Sequence, residues 1–118
     1  MKEFFKDIFD IEDVQGVFFI NLDGKIIFNQ FLSKPFENLD AVDWLLFIHT
    51  INGVQEVELI FENLRCYIRK TATGYIFVVM GEVALVEMVR LNCDILLPAF
   101  EHQENKPKGL GRFFKWRK

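Results

Sequence analysis

Nucleophilic catalysis needs a hydroxyl or thiol beside a base, and a third group to orient that base. The chain's one serine, Ser33, stands in Leu32-Ser33-Lys34-Pro35, with no glycine on either side to form an elbow and no histidine near it. It reads as a loop or capping residue. His49 and His102 are 53 residues apart and share no Cys or Asp at metal-ligand spacing, so helix and linker positions are expected for them. Cys66 and Cys93 each sit among apolar neighbours, one in a predicted strand and one in a predicted helix, as buried free thiols would. Glycines at 16, 24, 53, 74, 81, 109 and 111 form neither GxxxxGK[ST] nor GxGxxG. Adjacent acids such as Glu12-Asp13 suit a solvated turn better than an acid–base pair. The sequence thus assigns no catalytic, cofactor-binding or metal-binding residue, and the expected class is non-enzymatic with no cofactor.

Charge is more informative. All 17 acids precede Asn105, where they face only 8 Lys and Arg, so residues 1–105 carry a net −9, and the last 13 residues carry +6 with no acid. An acidic body therefore bears a basic tail. In that tail Lys106, Lys108, Arg112, Lys115, Arg117 and Lys118 interleave with Leu110, Phe113, Phe114 and Trp116. Such a mixture suits an anionic membrane surface or docking on a protein partner, and against these stand folding back on the acidic body and a solubilising end with no binding role. Nucleic acid is disfavoured because the body would repel phosphates. No apolar run is long enough to span a bilayer and no signal peptide is legible, so the reading is cytoplasmic, with the tail able to reach the inner membrane face.

The elements that would position these groups follow from periodicity. Phe4, Phe5, Ile8, Phe9 and Ile11 recur at helical spacing, predicting a short helix to about Glu12. Val17–Leu22 and Lys25–Phe28 predict strands joined by Asp23-Gly24 as a type I′ turn, with Phe19 opposite Phe28 and Ile20 opposite Ile27. A second helix, capped by Asn38 or Asp40, runs to Asn52 and stops at Gly53. Val54–Phe61 alternates, and a two-residue loop at Asn63-Leu64 would set Leu59 opposite Ile68, Phe61 opposite Cys66 and Glu58 opposite Arg69. Tyr75–Met80 is apolar throughout, as in a strand buried on both faces. A third helix from about Glu82, with Leu85, Val86, Val89, Cys93, Leu96 and Leu97 on its inner side, is closed by Pro98. The result is an α+β domain over residues 1–100: a five-stranded antiparallel sheet with helices on both faces, in the order α-β-β-α-β-β-β-α. Residues 101–118 form the linker and tail.

The stretch Asp13-Val14-Gln15-Gly16-Val17-Phe18-Phe19-Ile20-Asn21-Leu22-Asp23-Gly24-Lys25-Ile26-Ile27, with this element order over residues 2–98, resembles the roadblock / dynein light chain family in its bacterial single-domain form. The resemblance implies a sheet with its first and fifth strands central, and a homodimeric adaptor. It also implies protein partners, with a Ras-like small GTPase or a motility and polarity system as candidates. The tail matches no family element.

Helix two is apolar on two sides, with Leu39, Val42 and Leu46 on one and Trp44, Phe47, Ile48 and Ile51 on the other. A helix covering a small sheet needs one apolar stripe, so a second implies a second partner. Since the resemblance implies pairing through this helix and the next edge strand, the expected dimer interface is Trp44, Phe47, Ile48, Ile51, Glu56, Glu58 and Ile60. Deep burial within one monomer is the other reading of the helix. A small ligand-sensing domain of profilin-like or PAS-like kind, with Phe and Trp lining a pocket, is the alternative function.

Overall fold

A computed structural model of the chain describes residues 2–32 and 43–104. A 3-10 turn at Lys2–Phe5 leads into α1, Lys6–Phe9, and then β1, Val14–Asn21, and β2, Ile26–Phe31. After these come α2, Trp44–Thr50; β3, Glu56–Ile60; β4, Arg65–Lys70; β5, Gly74–Met80; and α3, Val86–Glu104. The strands form one antiparallel sheet in the order β2-β1-β5-β4-β3. The apolar run of β5 lies in the middle, buried at every position, beside β1.

Strand alternation divides the core in two. Val17, Phe19, Ile76, Val78 and Tyr67 meet Phe5 and Ile8 of the N-terminal turns and Val89, Cys93 and Phe100 of α3 on one face. Phe18, Ile20, Ile68, Phe77 and Val79 meet α2 on the other. Helices therefore cover both faces, as the two-sided apolar strands require.

Several local expectations change. The N-terminal helix ends at Phe9 instead of near Glu12, because the chain must turn at Asp13, with φ of 68°, to enter the sheet. The β1–β2 loop has three residues, Leu22-Asp23-Gly24, closed by Asn21 N–H donating to the Lys25 carbonyl at 2.9 Å. Asn21 Oδ1 accepts the Asp23 and Lys25 amides at 3.0 Å, and Gly24 alone in this loop has positive φ, so the turn is not type I′. Phe19 faces Phe28 as expected, but an irregularity after it sets Ile26 opposite Ile20 and leaves Ile27 exposed.

The β3–β4 turn is Glu62-Asn63, with Phe61 N–H donating to the Leu64 carbonyl at 2.8 Å. Leu59 consequently faces Cys66, Val57 faces Ile68, and Glu58 faces Tyr67. The displacement from the expected register is two residues, which leaves every side chain on its expected face.

Asp43 caps α2 through its side chain, which accepts Leu46 N–H at 3.1 Å, and Gly53 follows the helix at φ of 88°. The expected caps Asn38 and Asp40 lie outside the described residues, as does Ser33. α3 starts at Val86, not Glu82, because Asp13 Oδ2 accepts the Val83 amide at 2.8 Å and holds the preceding turn out of the helix. It then runs through Pro98 to Glu104. Pro98 removes one helical hydrogen bond, while buried Phe100 and Glu101, which accepts the Ala72 amide at 2.6 Å, hold the last turns in place.

Candidate protein-binding surfaces

The capped start of α2 directs Trp44, Phe47, Ile48 and Ile51 onto the molecule's own sheet. Trp44 lies 5.5 Å from Phe18 and 5.4 Å from Phe77, ring centre to ring centre, and Phe18 stacks on Phe77 at 4.5 Å. These rings fill the space between helix and sheet by touching one another. The outward side of α2 carries Leu45 and Leu46, 42% and 62% exposed, with His49 and Thr50 beside them. Leu39 and Val42, from the same expected stripe as Leu46, lie outside the described residues.

β3 is the sheet's edge next to β4, so among the described residues one side of its backbone ladder is unpaired. Val57 and Leu59 point toward α2, whereas Glu56, Glu58 and Ile60 alternate to the α3 face. The seven residues expected at an interface thus sit on two opposite faces of the sheet, with Trp44 and Phe47 over the central strands β1 and β5 and Glu56, Glu58 and Ile60 on the β3 edge. Ile60 is 74% exposed. Glu56 is engaged: its Oε1 accepts Arg90 Nε–H and the buried Tyr67 hydroxyl, both at 2.8 Å. The bond from Arg90, and then that from Tyr67, holds the Glu56 carboxyl below its ordinary range. Arg69 donates to the Tyr67 oxygen at 3.1 Å and to Asp94 at 2.5 Å, extending the network from β3 through β4 to α3. Burial pushes the Tyr67 phenol up to about 12.

Cys66 and Cys93 are free and buried on opposite faces of the sheet, and burial pushes each thiol to about 12. His102 is exposed near the end of α3. The tail residues Lys106, Lys108, Arg112, Phe113, Phe114, Lys115, Trp116, Arg117 and Lys118 lie outside the described residues. Among the described residues no helix is long and apolar enough to cross a membrane.

Two features escaped the sequence reading. Leu85, assigned to the inner side of α3, is 63% exposed, and with Met88, Leu91 and Ile95 it forms an outward apolar strip. An apolar residue every third or fourth position beside the inner stripe was the available signal. The other is Asp13, whose carbonyl and carboxylate both bind the turn after β5. A Cβ added to Gly81 would lie 2.3 Å from an Asp13 carboxylate oxygen, so this close approach needs glycine.

No protein-family model matches the sequence, and no curated protein matches it. Solved structures do match the fold. MglB of Myxococcus xanthus superposes with a TM-score of 0.67 at 11% identity, over 86% of this chain and 89% of that one. The gliding protein MglB of Thermus thermophilus gives 0.65 at 15% identity, over 86% and 82%. A Roadblock/LC7 domain from Streptomyces avermitilis gives 0.64 at 11% identity, over 90% and 95%. With the β2-β1-β5-β4-β3 sheet held between α2 on one face and α1 and α3 on the other, the chain has the roadblock fold.

Proposed function

We propose that the protein is a non-enzymatic homodimeric adaptor that binds protein partners, a Ras-like small GTPase being the candidate. The observation that carries this is the β3 edge, unpaired among the described residues and flanked by exposed Ile60, together with exposed Leu45 and Leu46 on the outer side of α2. Edge pairing of two β3 strands would satisfy the open backbone groups, and α2 against α2 would cover the apolar side chains. The GTPase comes from the roadblock resemblance alone, and no arginine is assigned a role toward it. The basic-aromatic tail is a second docking element of the same adaptor. Against the ligand-sensing alternative stands the aromatic cluster, whose rings contact one another.

Light scattering tests the dimer. The wild-type chain should be dimeric at tens of micromolar, and Ile60→Lys or Leu46→Glu should give folded monomers, since both residues are solvent-exposed in one copy. A wild-type monomer at that concentration would remove the dimer. For the partner, pull-downs with the host's Ras-like GTPases in GDP and GTP states should recover one of them; repeated recovery of none would remove the GTPase.

A further inference from the structure

α3 presents three sides. Val89, Cys93 and Phe100 face the core. Arg90, Asp94 and Glu101 form a charged side whose partners are Glu56, Arg69 and the Ala72 amide. The third side is apolar yet open: Leu85, Met88, Leu91 and Ile95 are between 43% and 68% exposed. One apolar stripe suffices to seat a helix, so the contacts among the described residues leave this second one unexplained. Leu85 and Met88 line an open groove of about 360 Å³ whose opposite wall is Asp7, Asp10, Ile11 and Glu12, from α1 and the turn after it. The floor is apolar and the wall is acidic.

That combination selects the occupant. An anionic membrane would be repelled by the wall, and two copies meeting through this face would bring their acids together. What fits is a segment with closely spaced aromatic and basic groups and no acid. The stretch Arg112-Phe113-Phe114-Lys115-Trp116-Arg117 has that composition and is joined to the same helix.

We infer that this face of α3 is the seat of the chain's own tail, with Phe113, Phe114 and Trp116 on the apolar strip and Arg112, Lys115 and Arg117 against the acidic wall. The reach is sufficient. Leu91 stands 13 residues before the end of α3 at Glu104, about 20 Å along the helix at 1.5 Å per residue. Phe113 stands 9 residues after that end, a span of at most about 30 Å. Pro107, Gly109 and Gly111 fall within that span, where the chain has to reverse. Tethering favours the contact: at an effective concentration on the order of 1 mM, a docking with a dissociation constant of about 0.1 mM is occupied roughly nine tenths of the time. The seated tail is withheld from other surfaces, so a competing partner must displace it. This inference stands independently of the GTPase and of the dimer.

Trp116 provides the test, since Trp44 is the only other tryptophan. The difference between the spectra of the full chain and of its Trp116→Phe variant isolates the tail indole. Its emission should be blue-shifted, with acrylamide quenching several-fold weaker than for a free indole, unchanged on dilution and partly lost at high salt. Leu91→Glu with Ile95→Glu, or Asp7→Lys with Asp10→Lys, should return it to the solvated spectrum; all four positions are exposed, and circular dichroism checks that the fold is retained. Three outcomes overturn the inference: a solvated indole in the unmodified chain, including one that shifts only when phosphatidylglycerol vesicles are added; a seat lost on dilution, which would place the tail on another copy; or a blue shift indifferent to both pairs of substitutions.

Discussion

Asp13 is held at φ of 68°, the only described residue other than glycine with positive φ, and its carboxylate accepts the Val83 amide. Asp13→Ala should cost about 2 kcal/mol, roughly half from the lost hydrogen bond and half from placing alanine in a left-handed conformation. Urea denaturation would measure it, and Asp13→Asn should cost less because asparagine tolerates that conformation. The bond from Val83 holds the Asp13 carboxyl below its ordinary 3.8, while partial burial opposes it. The stabilisation is therefore complete above about pH 4 and lost as pH falls through the lowered value. Glu56 acts in the same direction, so Asp13→Asn should flatten only part of the acid limb of a stability profile between pH 5 and 2. The thiols give a second prediction at this scale. With both Cys66 and Cys93 raised to about 12 by burial, an aromatic disulfide reagent at pH 8 should label neither in the native protein and both after denaturation. Rapid labelling of either native thiol would contradict the packing.

At the scale of elements, α2 separates core from surface residue by residue. Trp44→Glu places a charge among Phe18, Phe47 and Phe77 and should destabilise the monomer by about 3 kcal/mol or more, whereas Leu46→Glu should change monomer stability by about 0.5 kcal/mol or less. Thermal melts of the two variants compare them directly. Equal loss from both would mean that α2 does not sit as described. The apolar stripe Trp44, Phe47, Ile48 and Ile51 was legible in the sequence, but its seat on the chain's own sheet was not. Strand identities, the central place of β5 and the two-layer covering were legible from apolar runs. The β3–β4 register was not, because pairings two residues apart put the same side chains on the same faces. Pro98 misled in the other direction: proline forbids one hydrogen bond, and the burial of Phe100 outweighs it.

Across the whole molecule, the two hydrophobic clusters share one sheet, and the Glu56–Tyr67–Arg69–Arg90–Asp94 network fastens α3 to the β3 edge. Tyr67 lies at its centre, with its phenol raised to about 12 mainly by burial. Stability from this group is complete below the ordinary value of 10, and it declines as pH rises from there toward 12. Ultraviolet titration should therefore show Tyr67 ionising only in that high range, and Tyr67→Phe should remove this alkaline component. Pro98 has a consequence of a different kind. It has no amide hydrogen, so the carbonyl of Asp94 gets no donor from the next turn, and the hydrogen-bond ladder of α3 is interrupted six residues before Glu104. Buried Phe100 and the Glu101 bond hold the turn after the break, so in deuterium exchange amides of Val89 to Cys93 should open only with the whole domain, and those of His102 to Glu104 by local fraying at lower free energy. A protease acting under native conditions should make its first cut beyond Glu101, releasing the end of the chain while the sheet stays closed.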